Sequence, residues 1–302
     1  MEVKTSSEEV FNQLSDLAKA KTPFFSEVWR KGRQAFGPVW AEELVDNVTR
    51  LFGTEEDGGW ERAIRGYAEF ALDAMRNQKF FEANGRYRWS KLAEIQGRYY
   101  ESEEHMMKNY LPGMWLSHYL WPHHYKMLAF FRKEVLSQVS NPALFHDVGI
   151  GTGMYSREML RIFPSIRGKG FDISEYSARF TTQALKAYGL DSRYEVVLGN
   201  IFTAKVPEQK ADFVVSQEVL EHLEEPERFI RILREMAKDK AYITAAINAG
   251  HTDHIYLFRS AEEVIAMLEK AGWKILKWHA ELAYDSMPPE LTPSVAGFFC
   301  QR

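Results

Sequence analysis

The sequence predicts an α/β protein: a doubly wound, mostly parallel sheet of seven strands preceded by an all-helical N-terminal region. Three observations carry that prediction. From Pro142 onward, short apolar runs alternate with helical patterns, as parallel strands joined by crossover helices require. In the first hundred residues no segment alternates with period two, and apolar residues recur at helical intervals instead. The first apolar run after Pro142 then enters a turn with glycines at alternate positions, Asp147-Val148-Gly149-Ile150-Gly151-Thr152-Gly153. Such a turn lets backbone pass close to a ligand with no Cβ in the way, and the helix N-terminus that follows faces the same point.

The elements follow in order. Ser6 and Glu9 have capping-box spacing ahead of Val10, Phe11, Leu14 and Leu17, which predicts a helix over Ser6–Lys21 ended by Pro23. Phe25–Ala35 reads as a second helix, stopped by Gly37-Pro38, and Ala41–Phe52 as a third, with Gly53 as its C-cap. Trp60–Phe81 and Trp89–Tyr100 continue the helical pattern. The stretch Glu101–Phe131 differs: four of the nine histidines lie in it, among two Trp and three Tyr, and Pro112-Gly113 and Pro122 divide it. It reads as a packed helix–turn–helix or as a wall of a substrate pocket, since it comes just before the glycine turn. The predicted strands are Leu144–Ile150, Arg167–Ile173, Tyr194–Leu198, Ala211–Ser216, Ala241–Ile247, Trp273–Ala280 and Ser294–Phe299. Between them lie helices at Tyr155–Ile162, Glu175–Tyr188, Pro226–Lys238 and Ser260–Ala271, the last with Ser260 and Glu263 as a capping box and Gly272 as its stop. We divide the chain at residue 112: 1–112 as a helical, substrate-covering region and 113–302 as the ligand-binding core.

Composition bounds the function. The 302 residues suffice for one large domain or two smaller ones. The net charge of −4 argues against a nucleic-acid partner, whose footprint is usually basic. The single cysteine, Cys300, excludes an intrachain disulfide and is compatible with cytosol. Met1–Ser6 has no apolar stretch of a secretory signal, and no apolar run has the length of a bilayer crossing. The expectation is a cytoplasmic protein that does not bind membranes.

The glycine spacing excludes two phosphate sites. A dinucleotide fingerprint needs glycine at 154, where Met154 stands, and a P-loop needs a Gly-Lys-Ser/Thr ending. In an open α/β sheet ligands bind beyond the carboxyl ends of the strands, so the strand ends are the site candidates. The second strand ends Gly170-Phe171-Asp172-Ile173-Ser174, and a carboxylate there suits both hydroxyls of a ribose. The third ends Gly199-Asn200-Ile201, the fourth Ser216-Gln217-Glu218-Val219-Leu220-Glu221-His222-Leu223, and the fifth Asn248-Ala249-Gly250-His251-Thr252-Asp253-His254.

These motifs, in this order, resemble the class I S-adenosylmethionine-dependent methyltransferases of small-molecule type, with a Rossmann-like fold, over Phe145 to the C-terminus. The resemblance implies that Ser294–Phe299 pairs antiparallel beside the sixth strand. It implies S-adenosyl-L-methionine as cofactor, held by Asp147, Gly149, Gly151, Gly153, Asp172, Ile173, Asn200, Ile201, Gln217 and Glu218. Asn200 stands where the family often has an acidic residue accepting from the adenine amine. The resemblance also implies that the helices before the first strand cover the active site. The Asn/Asp-Pro-Pro-aromatic ending of enzymes that methylate nucleic-acid bases is missing after the fourth strand.

The function read from this is methyl transfer to O, N or C of a small, apolar or aromatic metabolite of a specialised biosynthesis. Trp115, His118, Tyr119, Trp121, Tyr125 and His251 are the candidate substrate wall. A base near neutral pKa assists an O–H or N–H acceptor, and histidine supplies one; His254, His124 and His123 are the catalytic candidates. A variant is metal-assisted C-methylation with His123, His124 and Glu218 as ligands, although adjacent histidines diverge and the usual ligand spacings are absent. A further alternative is a non-catalytic, cofactor-binding partner or regulatory subunit. Protein or RNA methylation would want an open charged groove instead of an aromatic one. The N-terminal helices fit a lid or a homodimer interface equally well.

Overall fold

The structure is a computed structural model that describes residues 6–204, 207–285 and 292–302. Helix α1 (Ser7–Lys21) starts with the capping box its sequence encodes: Glu9 N–H donates to Ser6 Oγ at 3.2 Å, and Ser6 N–H donates to the Glu9 carboxylate at 2.7 Å. The two helices the sequence separates at Gly37-Pro38 form one bent element, α2 (Glu27–Phe52), interrupted at Gly37 with φ 81°. Helix α3 (Gly59–Asn84) follows, then the short α4 (Leu92–Ile95), which widens into π-helical turns over Gln96–Tyr100.

The histidine-rich stretch is more continuous than its sequence suggests. A π-helical segment, His105–Tyr110, runs straight into α5 (Leu111–Leu120). Pro112 causes no break because it lies in the first turn of α5, where its missing N–H is not needed. Gly113 sits where α5 crosses α3, and a Cβ there would collide with Phe70. Pro122 does mark a boundary: it opens α6 (Pro122–Phe130), and Trp121 before it is extended, as a residue preceding proline prefers.

The α/β part contains β1 (Leu144–Val148), α7 (Met154–Ile162), β2 (Arg167–Asp172), α8 (Glu175–Ala187), β3 (Tyr194–Leu198), β4 (Ala211–Ser216), α9 (Pro226–Met236), β5 (Ala237–Ile247), α10 (Ala261–Lys270), β6 (Lys274–Leu282) and β7 (Ser294–Gln301). They form one seven-stranded sheet in the order β3-β2-β1-β4-β5-β7-β6. β1 to β5 pair in parallel, and β7 is antiparallel to both β5 and β6. The expected antiparallel seventh strand is therefore present, inserted between the fifth and the sixth. Two local expectations change. α9 stops at Met236 and β5 begins at once. The capping box of α10 does not form; the Glu263 carboxylate accepts from Arg259 N–H instead, at 2.9 Å.

Neighbouring residues of a strand face opposite sides, and the two sides have separate cores. Phe213, Tyr242 and Phe299 pack with Trp40, Trp115 and Phe131 of the helical region. Val214, Ile243 and Phe298 pack with Phe229, Leu233, Val264 and Leu268 of α9 and α10. The helical region is thus anchored through one face of the sheet. It is also tied to the loop after β5: Asn77 Nδ2 donates to Thr252 Oγ1 at 2.8 Å, and Gly250 N–H donates to Gln78 Oε1 at 2.7 Å. Among the described residues no helix is long and apolar enough to cross a membrane.

Candidate functional site

The carboxyl ends of β1, β2, β4 and β5 open into a cavity of about 670 Å³, closed on the other side by α3, α5 and the segments between them. This is where a doubly wound sheet places a ligand. At one corner Gly149, Gly151 and Gly153 have φ of 76°, 50° and 73°. All three occupy the left-handed region that glycine enters without cost. A Cβ at Gly149 would also collide with Val219, and one at Gly153 with Thr181.

The turn is held by the neighbouring strand end. Asp172 accepts from Gly151 N–H at 3.2 Å and from Ser174 N–H at 2.8 Å. Burial pushes its carboxyl up, and these N–H groups pull it back. Gly149, Gly151, Asp172, Ile173, Asn200, Ile201, Gln217 and Glu218 line the cavity. Two strand ends carry non-glycine residues at positive φ, Glu218 (47°) after β4 and Asn248 (50°) after β5. Glu218 is fixed there by donating its N–H to Thr244 Oγ1 at 2.8 Å. Such local strain collects where a site has to aim a side chain.

Of the cofactor candidates, Asp147 and Gly153 lie behind this wall. Asp147 is buried, accepts from Ser156 Oγ at 2.6 Å, and has its pKa raised by burial to about 7. It braces the turn from below.

The opposite wall is only partly the expected one. His118, Trp121, His123, His124, His251 and His254 line the cavity. Trp115, Tyr119 and Tyr125 do not. Trp115 is fully buried over the Arg157 guanidinium, 5.1 Å from it. Tyr119 OH accepts from Arg157 Nη2 and Asn47 Nδ2, both at 2.9 Å. Tyr125 packs on Phe36 with ring centroids 4.7 Å apart. Trp115 and Tyr119 face the interior of the helical region because helix α5 is buried nearly all round, so an aromatic stripe there was no guide to which face meets the cavity; Tyr125, on α6, turns to α2 instead.

The histidines fall into two groups. In the first, His124 Nδ1 is 3.1 Å from Ser117 Oγ, which donates to Met114 O, so Nδ1 carries the proton. Nε2 then faces Glu218, at 3.9 Å. Burial pushes His124 down to about 3, and burial with the neighbouring His124 holds His118 and His123 well below the imidazole range. These are neutral imidazoles and weak bases. His123, His124 and Glu218 do not gather into a metal-sized group among the described residues, which removes the ligand set suggested from the sequence.

The second group centres on Asp253, a residue the sequence reading passed over. His251 Nδ1 is 2.9 Å from Asp253 Oδ1. Tyr100 OH and Tyr110 OH both donate to Asp253 Oδ2, at 2.9 and 2.6 Å. Burial works to raise this carboxyl, yet His222, His251 and His254 around it hold it well below the usual carboxylate range. His251 Nε2 is buried without a hydrogen-bond partner. His254 turns Nδ1 to Ala249 O at 2.6 Å, and burial together with His222 keeps it well below the imidazole range. Tyr67, Phe70, Met106 and Met114 complete the apolar wall. The His251-x-Asp253 spacing was the available signal for the pair. Nothing in the sequence marked Tyr100 or Tyr110, which reach Asp253 from 153 and 143 residues away.

Residues 146–245 match the family model described as a methyltransferase domain. No curated protein matches the sequence. Among solved structures, an O-methyltransferase family protein from Burkholderia thailandensis aligns with a TM-score of 0.57 and 14% identity, over 84% of this chain and 75% of that one. The mitomycin 7-O-methyltransferase MmcR aligns with a TM-score of 0.55 and 17% identity, over 80% of this chain and 71% of that one. Both alignments exceed the α/β part, so the shared fold includes helices that cover the sheet. Strand order, glycine turn and matched model agree: the chain carries a methyltransferase domain of the class I, S-adenosylmethionine-dependent kind.

Proposed function

We propose that this enzyme transfers a methyl group to a small, largely apolar molecule enclosed between the sheet and the helical region. The observation that carries the reading is one continuous cavity running from Gly149, Gly151 and Asp172 to an apolar wall of Tyr67, Phe70 and Trp121. A cavity of this size suits a small ligand, and apolar walls with a few convergent polar groups are the usual lining of such sites. In this reading Asp172 accepts from the ribose hydroxyls and Asn200 with Ile201 borders the adenine. Gln217 and Glu218 border the methionine end.

Methyl transfer from a sulfonium is an in-line displacement, and alignment with exclusion of water supplies much of the rate. The geometry favours His251 over His254, His124 and His123 as proton acceptor. Its Nδ1–H points at a carboxylate, which stabilises the imidazolium as it forms and leaves Nε2 with the lone pair. An O–H or N–H acceptor therefore fits better than an unactivated carbon. The reaction is tested with S-adenosylmethionine labelled in its methyl group, incubated with pools of small metabolites and of macromolecules. Label should enter a low-mass product. Label in protein or RNA alone, or donor binding with no product in any pool, would reject the reading, the latter in favour of a regulatory subunit.

A further inference from the structure

Beside the Asp253 cluster lie three side chains that the transfer reaction does not use. One ligating atom from each of Glu221, His222 and His254 lies within 4.8 Å of the other two. Glu221 is fully buried, and neither of its carboxylate oxygens has a hydrogen-bond partner. Its backbone is pinned: Ile255 N–H and Tyr256 N–H donate to Glu221 O at 2.8 and 2.9 Å. Both imidazoles are oriented by main-chain carbonyls, His222 Nδ1 by Asp253 O at 3.0 Å and His254 Nδ1 by Ala249 O at 2.6 Å. A carbonyl only accepts, so each Nδ1 carries the proton and each Nε2 keeps a lone pair. Carbonyl-oriented imidazoles of this kind are how proteins present histidine to a metal. Two imidazoles with a free lone pair each and a carboxylate without a hydrogen-bond partner thus lie within ligand distance of one another in a largely buried place, an arrangement that a positive charge would satisfy.

We infer that Glu221, His222 and His254 form a site for one divalent first-row transition-metal cation. Two imidazoles and one carboxylate suit zinc, cobalt or iron(II) better than magnesium or calcium, which prefer all-oxygen sets. The ligand atoms have to draw together somewhat on binding. His222 and His254 line the cavity, so a coordination position left free by three protein ligands would be open to a small molecule inside it. A second group, His251, Asp253 and His254, has the same spacing. It is the weaker candidate because Asp253 is already occupied by His251 and two tyrosine hydroxyls.

The inference does not rest on methyl transfer, and its test uses neither donor nor acceptor. The full chain, stripped of metal with a chelator, is titrated with cobalt(II) and followed by visible d–d absorption and by thermal unfolding. One equivalent should bind, with a spectrum of low-symmetry nitrogen and oxygen ligation and a raised unfolding temperature. Glu221→Gln and His222→Ala, each checked for native circular dichroism, should bind at least about tenfold more weakly. His254→Gln serves in place of either one that fails to fold. A wild-type protein with no saturable cobalt spectrum would overturn the inference. So would variants that bind as tightly as the wild type, and in that case Glu221 is simply protonated and hydrogen-bonded to a histidine.

Discussion

At one end of the cavity the ligand-facing atoms are held by main chain: three glycines at positive φ and a carboxylate gripped by backbone N–H groups. At the other end they are side chains drawn from α3, from the π-helical turns around Tyr100 and Tyr110, and from the loop after β5. The first end depends on local conformation within about two dozen residues of sequence. The second exists only once α3 has docked on that loop through Asn77 and Gln78. Each end should therefore fail in its own way. Substitutions at the glycine end should disturb donor binding and folding together, whereas those at the histidine end should disturb turnover while donor binding survives.

The sharpest test of that division is His251→Ala. Loss of a positioned general base costs roughly 10²- to 10⁴-fold in kcat, and donor affinity measured by calorimetry should stay within about twofold because the glycine end is untouched. A parallel loss of donor affinity would break the comparison.

Next in size is the pH dependence of Asp147. Its pKa is raised from 3.8 in an ordinary environment to about 7 in the fold. The folded state therefore holds a proton that the unfolded chain releases. The resulting stabilisation is full below about pH 4 and is lost as pH rises through about 7, an upper figure of about 4 kcal/mol at about 1.4 kcal/mol per unit. Unfolding temperatures of the wild type should fall from pH 5 to pH 8 relative to Asp147→Asn. Parallel curves would mean that Asp147 is ionised throughout.

A smaller effect is expected for Gly149→Ala. Left-handed backbone without glycine, together with the collision with Val219, should cost about 2 kcal/mol in stability, and donor affinity should fall with it. Smallest is Tyr110→Phe. Asp253 keeps Tyr100 and His251 as partners, so the loss should be about 1.5 kcal/mol in denaturant unfolding, the low end for a hydrogen bond to a charged group. A change above about 3 kcal/mol, beyond the usual range for one lost hydrogen bond, would show that the tyrosine pair acts as a unit.

The same contrast explains how much could be read beforehand. Strands, crossover helices and the glycine turn follow from periodicity and from residues with restricted or unusual backbone preferences, so the sheet and the Gly149–Asp172 corner were legible. The seventh strand was legible as an apolar run, its antiparallel pairing beside the sixth came only with the resemblance, and its insertion between β5 and β6 is seen only in the fold. The histidine wall was half legible: His118, Trp121 and His251 reach the cavity, whereas Trp115, Tyr119 and Tyr125 turn inward to Arg157 and Phe36. A helix buried on nearly every side has no polar face to show which side meets a ligand. Asp253 was hidden for a different reason. A lone aspartate in a loop reads as a turn residue, and only docking of distant segments brings Tyr100, Tyr110 and His222 against it.

The rest depends on the glycine end binding the methyl donor. Calorimetry of S-adenosylmethionine against the wild type and Asp172→Ala, with circular dichroism to confirm folding, tests it directly. A single site is expected in the wild type, weakened by at least about 100-fold in the folded variant, roughly 2.7 kcal/mol. Unchanged affinity in Asp172→Ala, or a wild-type protein that does not bind the donor, would contradict it.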